Sequence, residues 1–375
     1  MINIANISVV QPHNAISQDI DFVMTMDGSC GLYNRNVGDI YHSSYGALSE
    51  AKEKFIRPLN FHKNFLQKKE IKVLDICSGI GYNTKAFLNY LFDSKIEPKT
   101  KIHIDAIEID KKLVLISPFI NDGLRDCSCS YFLLANLQED IFSEIEQVNS
   151  VISDLKNRPF LTRAVVALFQ KYRFDGYKYN LRRSYLSFLH NIYYQYVSKR
   201  NKKPLKALKM NNFSFKPHYM DARLFLKSAK CEYDIVFLDA FTPLKLPTLW
   251  SEEFFARLYE LMNTDSMLVT YSNSAAVRNA MLKAGFFVGK TFDSKKRPSG
   301  TVASKNKNFI EHPLDEFDFG LIQTNAGVTF NDPDLDWQPE KILEEYNAKK
   351  SRLNLQSSSS YIKSYKRKEE TLCTT

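Results

Sequence analysis

The chain has 375 residues, 44% of them hydrophobic, which suffices for one large domain or two modest ones with a sizeable core. Its formal net charge of +9 suits a polyanionic partner such as nucleic acid, but also fits ordinary solubility. Cys30, Cys77, Cys127, Cys129, Cys231 and Cys373 form no C-x-x-C pair, so a disulfide framework and a zinc cluster are not expected; reduced thiols in a cytoplasmic setting are. The N-terminus has no secretory pattern, and no run of about 18 apolar residues exists to span a membrane.

In chain order, residues 1–66 begin as strand and turn material and lead into a helix, "LSEAKEKFIRPLNF". "IKVLDICSGIGYNTKAFLNYLF" reads as strand, glycine turn and helix, with Phe87, Leu88 and Leu91 on the apolar face. "KIHIDAIEIDKKLVLIS" repeats the strand–helix pattern, and residues 113–155 read as helical. From about 150 to 215 the composition changes: residues 156–216 hold fifteen Lys and Arg against the single acid Asp175, interleaved with tyrosines. That block reads as a basic helical insertion. Beyond it come "SFKPHYMDARLFL" (strand, helix), "YDIVFLDAF" (strand), "SEEFFARLYELM" (a helix capped by Ser251), "SMLVTYS" (strand), "AAVRNAMLKAG" (a helix closed by Gly285), "FFVGKTF" and "GTVASK" (strands). The tail, residues 341–375, is expected to be partly helical and then disordered, because its Ser run and scattered charges offer little to bury. Strands alternating with helices predict an α/β fold with a doubly wound, mostly parallel sheet, in a single domain over residues 1–340.

In such sheets ligands bind at the carboxyl ends of the strands. Asp75 closes the first apolar run, and Gly79 and Gly81 permit a tight turn. An acid before G-x-G, without the Gly-Lys-Ser/Thr of a phosphate loop, fits a ligand with an amine and no phosphate, such as S-adenosylmethionine. Glu108, about thirty residues on, can accept both ribose hydroxyls; Asp110 competes for that role, though a helix cap suits it better. Asp221 can accept an adenine amine beside the small Ala222, or can equally be a helix cap. Asp239 ends "IVFL"; with the carbonyls of Ala240 and Phe241 it can hold a target amine, as a base or only as an orienter.

These pieces resemble the methyltransferase domain of the MnmC type. "DIYHSSYGALSEAKEKFI", "VLDICSGIGYNTKAF", "YDIVFLDAFTPLKLPTLWSEEFFARL", "TYSNSAAVRNAMLKAGFFVGK" and "KKRPSGTVAS" carry the likeness. It implies a class I, Rossmann-like S-adenosylmethionine-dependent fold, and methylation of the aminomethyl group of 5-aminomethyl-(2-thio)uridine at the tRNA wobble position. It further implies that Tyr41, Ser43 and Glu50 help close the cofactor site around Asp75, Gly79, Gly81, Glu108, Asp221 and Ala222. Asp239 would hold the amine, Phe241, Pro243, Lys245 and Trp250 would shape the mouth, and Lys296 and Arg297 would meet tRNA phosphate. No flavin fingerprint follows, so a stand-alone form is expected, supplied by the enzymes that install the aminomethyl group. The insertion has two readings: helical packing with its tyrosines inward, or an RNA surface in which Lys199, Arg200, Lys202 and Lys203 contact phosphate.

Overall fold

The computed structural model describes residues 9–10, 20–41, 46–61, 68–93, 100–120, 128–144, 147–148, 150–151 and 212–373. The insertion, with Lys199, Arg200, Lys202 and Lys203, and also Ser43, lies outside the described residues.

The elements follow in chain order. Strands β1 (Val9–Val10), β2 (Ile20–Met24), β3 (Cys30–Asn34) and β4 (Asp39–Ile40) precede α1 (Ala47–Glu50), whose coil widens to i→i+5 bonding over Ala51–Ile56 and narrows to i→i+3 bonding over Arg57–Phe61. Then come β5 (Glu70–Ile76), α2 (Tyr82–Asp93), β6 (Lys101–Ile107), α3 (Lys111–Ile116), α4 (Ser128–Asn136) and α5 (Gln138–Ser143). After the insertion follow β7 (Phe213–His218), α6 (Ala222–Ser228), β8 (Tyr233–Leu238), α7 (Glu252–Glu260), β9 (Met262–Thr270), α8 (Ala275–Lys283), β10 (Phe287–Phe292) and β11 (Pro298–Ser304). Helices α9 (Glu316–Ile322), α10 (Pro339–Leu353) and α11 (Ser358–Cys373) end the chain.

The chain divides into two compact units, interleaved in sequence: Met1–Lys52, Lys63–Ile71 and Ser78–Tyr219 in the first, Glu53–His62, Lys72–Cys77 and Met220–Thr375 in the second. In the first unit β1 to β4 form an antiparallel sheet in sequential order, and β6 pairs with β7 in parallel, Ile102 opposite Phe213 through Ile107 opposite His218. The Tyr82 hydroxyl at the start of α2 donates to the Cys30 carbonyl of β3 at 2.8 Å, tying the small sheet to the helix after the glycine turn.

The second unit orders its strands β10–β11–β9–β8–β5. The β5–β8 and β8–β9 pairs are parallel; β11 runs antiparallel to both its neighbours. All six residues of β8 are buried, the mark of a parallel strand covered on both faces. One of them is charged, and it is fully employed. Asp234 accepts from the Lys72 backbone N–H (2.9 Å) and the Asn263 amide (3.0 Å), locking the starts of β5, β8 and β9 together. Ser251 caps α7 by accepting from the Phe254 N–H, and Gly285 at φ 100° ends α8, both as the sequence predicts.

Among the described residues of 113–155, the expected helical content is present as α3, α4 and α5. One expectation is corrected. The tail is not disordered after its Ser run: α11 extends to Cys373. Its Tyr361 and Tyr365, four apart and so on one face, pack on Phe317 with ring centroids 5.8 and 5.0 Å away. The Tyr361 hydroxyl also donates to the Phe317 carbonyl at 3.2 Å. A polar helix here is held by a tertiary partner that composition does not reveal.

Candidate functional site

In the first unit the site residues gather on the turn after β5. Gly79 and Gly81 take φ of 52° and 78°; Cys77, the last residue of the second unit's β5 segment, takes φ of 60°. The non-glycine Cys77 in that left-handed region is uncommon. The Ser78 N–H donates to the Ile107 carbonyl (3.1 Å), holding the turn against the end of β6. Glu108, the next residue, closes the arrangement. Its Oε2 accepts from the Gly79 N–H at 2.9 Å and its Oε1 from the Asp110 N–H at 3.0 Å, while its own N–H donates to the His218 carbonyl of β7. Burial pushes the Glu108 carboxyl up to about 7, although the backbone donors pull the other way. The Gly79 and Asp110 N–H groups engage one oxygen each and the Ile109 backbone adds a further donor, so a hydroxyl would take a remaining lone pair of the four.

Asp110 has a different task. It caps α3 by accepting from the Lys112 N–H, so the two acids that competed in the sequence separate cleanly. Tyr41 comes to the turn as well: its ring Cδ1 lies 3.6 Å from where a Cβ on Gly79 would stand. Glu50 is half-buried on α1. Ser78 itself is buried, and its hydroxyl has no partner among the described residues. An orphan hydroxyl, a buried carboxylate with open lone pairs and two glycines fit an adenosyl ligand carrying a ribose diol. Lys85, unremarked in the sequence, is fully buried on α2 and donates to the Ser117 carbonyl at 2.7 Å; a lysine in a helical pattern reads as exposed, so nothing local signalled it.

In the second unit, Asp75 is fully buried near the end of β5. Asp221 caps α6 through the Arg223 N–H and also pairs with the Arg223 guanidinium, Nη2 to Oδ2 at 2.8 Å. Arg223 is held in turn by Asp332 and the Trp337 carbonyl. An adenine amine would therefore compete with Arg223 for Asp221. Ala222 beside it is buried.

Asp239 is the first residue past β8, half-buried, with its N–H donating to the Ile76 carbonyl at the end of β5 (3.2 Å). The loop beyond it is pinned twice. The Tyr271 hydroxyl donates to the Ala240 carbonyl (2.8 Å), and the Trp250 indole N–H donates to the Phe241 carbonyl (2.9 Å). The two rings meet edge to face at 6.3 Å. Trp250 is 0% exposed. It therefore anchors the loop from below and does not line the mouth, which corrects the expectation for it. Phe241 and Pro243 are half-buried and Lys245 is exposed, so these three remain at the surface of the loop. Tyr271 follows β9 directly, a strand end that carries a tyrosine where β8 carries an acid, so nothing in the local sequence marks it.

Lys296 and Arg297 lie in the β10–β11 turn but are not equivalent. Arg297 is paired with Asp293, Nε to Oδ2 at 2.8 Å and Nη2 to Oδ2 at 2.7 Å, whereas Lys296, at φ 59°, has no acidic partner for its ammonium among the described residues. Among the described residues no cluster of His, Cys, Asp and Glu could hold a metal, and no helix is long and apolar enough to cross a membrane.

A family profile described as S-adenosyl-L-methionine-dependent methyltransferase matches residues 184–306. An uncharacterized protein of Methanocaldococcus jannaschii is 24% identical over 332 residues, covering 88% of this chain and 72% of that protein. The tRNA 5-methylaminomethyl-2-thiouridine biosynthesis bifunctional protein MnmC of Burkholderia thailandensis is 24% identical over 250 residues, 66% of this chain but only 30% of the bifunctional protein's length. Among solved structures, MnmC2 from Aquifex aeolicus superposes with a TM-score of 0.57 at 24% identity, covering 88% of this chain and 85% of that one. The likeness shows the class I, Rossmann-like methyltransferase fold that the resemblance implies, with the mostly parallel sheet that the strand pattern predicts.

Proposed function

We propose that this S-adenosyl-L-methionine-dependent methyltransferase, MnmC-like in sequence and fold, methylates the primary amine of 5-aminomethyl-(2-thio)uridine at the wobble position of tRNA, giving the 5-methylaminomethyl product. The observation that carries the proposal is the Asp239 loop: a carboxylate at the end of β8, on a backbone pinned by Tyr271 and Trp250. The name of the bifunctional relative supports the choice of substrate.

When bound, S-adenosyl-L-methionine supplies a methyl group already activated on a sulfonium, so the protein has mainly to align an amine and exclude water. Glu108 would take the ribose hydroxyls through its open lone pairs, with Gly79 and Gly81 keeping the turn free of side chains. Asp239 would accept a hydrogen bond from the neutral amine and aim its lone pair. Transfer would join the methyl carbon to the amine nitrogen that Asp239 orients, with the C–S bond pair staying on sulfur as S-adenosyl-L-homocysteine leaves. The amine proton then leaves to Asp239 or to water. Because the Ala240 and Phe241 carbonyls are already fixed by side-chain donors, the acceptor geometry needs no reorganisation on binding.

The test uses a radiolabelled methyl donor and tRNA carrying 5-aminomethyluridine, followed by hydrolysis and identification of the nucleoside. Label is expected in 5-methylaminomethyluridine. Asp239→Ala should lower kcat by about 10²-fold or more while cofactor affinity is retained. Label only on free small amines, or an Asp239→Ala enzyme of full activity, would refute the proposal.

A further inference from the structure

A cavity of about 730 Å³ opens within the second unit, built on β9, β10, β11 and the Arg57–Pro58 turn. Asp239 closes β8, on the other side of β9 from β11 and β10 in the strand order, so the cavity is not the loop described above. Its volume falls within the roughly 300–1,000 Å³ typical of small-ligand sites. The floor is apolar, from Met267 and Val302, and Phe292 and Phe309 add aromatic faces. Phe292 is held edge-on against the His312 ring at 4.9 Å, which fixes its plane.

The charges around the cavity do not cancel. Of the two acids that line it, Asp293 is taken by Arg297, while Glu311 lies at the rim 3.7 Å from the His312 ring, so Arg57 and Lys296 outnumber the one acid without an Arg or Lys partner. Lys290 is neutralised by Asp315 and Asp318, at 2.5 and 2.7 Å. Arg57 and Lys296 are left over. Both are exposed, both line the cavity, and neither has an acidic partner among the described residues. They come from segments far apart in the chain, one before β5 and one after β10.

An apolar, ring-bearing floor under two uncompensated cations matches a nucleotide: a flat heteroaromatic base with phosphate beside it. Two exposed cations lining one cavity suit the phosphates flanking a nucleotide in a strand. We infer that this cavity receives one unstacked nucleotide of the RNA substrate, its base against Phe309 over the Met267–Val302 floor and its flanking phosphates on Arg57 and Lys296. The inference rests on the RNA substrate proposed above.

The experiment measures binding of a fluorescent single-stranded RNA oligonucleotide across a salt series, with uridine monophosphate as competitor. Arg57→Ala and Lys296→Ala should each flatten the slope of log affinity against log salt by about 0.7, and the double variant by about 1.4. Phe309→Ala should weaken binding roughly 5- to 150-fold with the slope unchanged, and Phe309→Tyr should restore it. Unaltered slopes in both charge variants, no loss with Phe309→Ala, or no RNA binding by the unmodified protein would each overturn the inference. So would uridine monophosphate binding as tightly as the oligonucleotide, which would make the ligand a free nucleotide. Methyl transfer is read separately. Transfer with unaltered slopes removes only the cavity inference, and altered slopes without transfer remove only the amine-methylation reading.

Discussion

The burial of Glu108 makes ribose binding depend on pH in a way that can be measured. Its carboxyl is pushed up to about 7 by burial, from an ordinary value of 4.5. A pKa raised by folding means that folding favours the protonated form. The contribution of Glu108 to stability is thus fully present below about pH 4.5 and is lost as pH rises through about 7. Ligand binding has the opposite sign. Two ribose hydroxyls donate, and Glu108 accepts them fully only as a carboxylate, since a protonated oxygen becomes a donor. If only the ionised form binds, about a tenth of the protein is competent at about pH 6 and about nine tenths at about pH 8, so affinity should rise about ten-fold across that interval. The suitable ligand is 5′-methylthioadenosine, which keeps the ribose and lacks the amino-acid groups that would titrate on their own account. Calorimetry or equilibrium dialysis reads the dissociation constant. Glu108→Gln should flatten the pH profile. The amide can accept only through its single oxygen, so one of the Gly79 and Asp110 N–H groups loses its acceptor, and stability should fall by about 1–3 kcal/mol. A flat profile for the unmodified protein, or an unchanged slope in a folded Glu108→Gln variant, would refute the reasoning.

Trp250→Phe removes the indole donor to the Phe241 carbonyl and part of a fully buried ring, and should lower stability by about 1–3 kcal/mol in urea melts. Lys245→Ala on the exposed part of the same loop should leave the melt unchanged; equal effects would contradict the assignment of Trp250 as the anchor. Gly46→Ala would drive a Cβ into the Asp27 carboxylate, which cannot yield because it accepts from the Thr25 and Ser29 hydroxyls and the Ser29 and Ser49 N–H groups. Gly79→Ala meets only the Tyr41 ring at an ordinary 3.6 Å and has just the left-handed backbone to bear, about 1 kcal/mol. Thermal melts should therefore show the larger loss at Gly46, and the reverse order would overturn this comparison.

What the amino-acid order settles on its own is local. Apolar runs such as "YDIVFL", glycines where the chain must take positive φ, and caps such as Ser251 and Asp110 are decided within a few residues, because strand burial, turn sterics and capping bonds are short-range. For that reason the strand-end positions of Asp75, Glu108, Asp221 and Asp239 were legible. Their employment was not. Glu108 and Asp110 are two residues apart and chemically alike, yet one braces the glycine turn and the other caps a helix; the difference comes from the Gly79 N–H, twenty-nine positions away. Asp221 could be seen as a cap, but not as the partner of an arginine shared with Asp332. Trp250 was expected at a surface and is the buried anchor of the loop, and Tyr271 was not expected at all, because both act through carbonyls that any residue could provide. The ordered α11, read as disorder from its serines, depends on Phe317. Each of these outcomes is set by a partner distant in sequence, and only the tertiary structure brings such partners within hydrogen-bonding or ring-packing range.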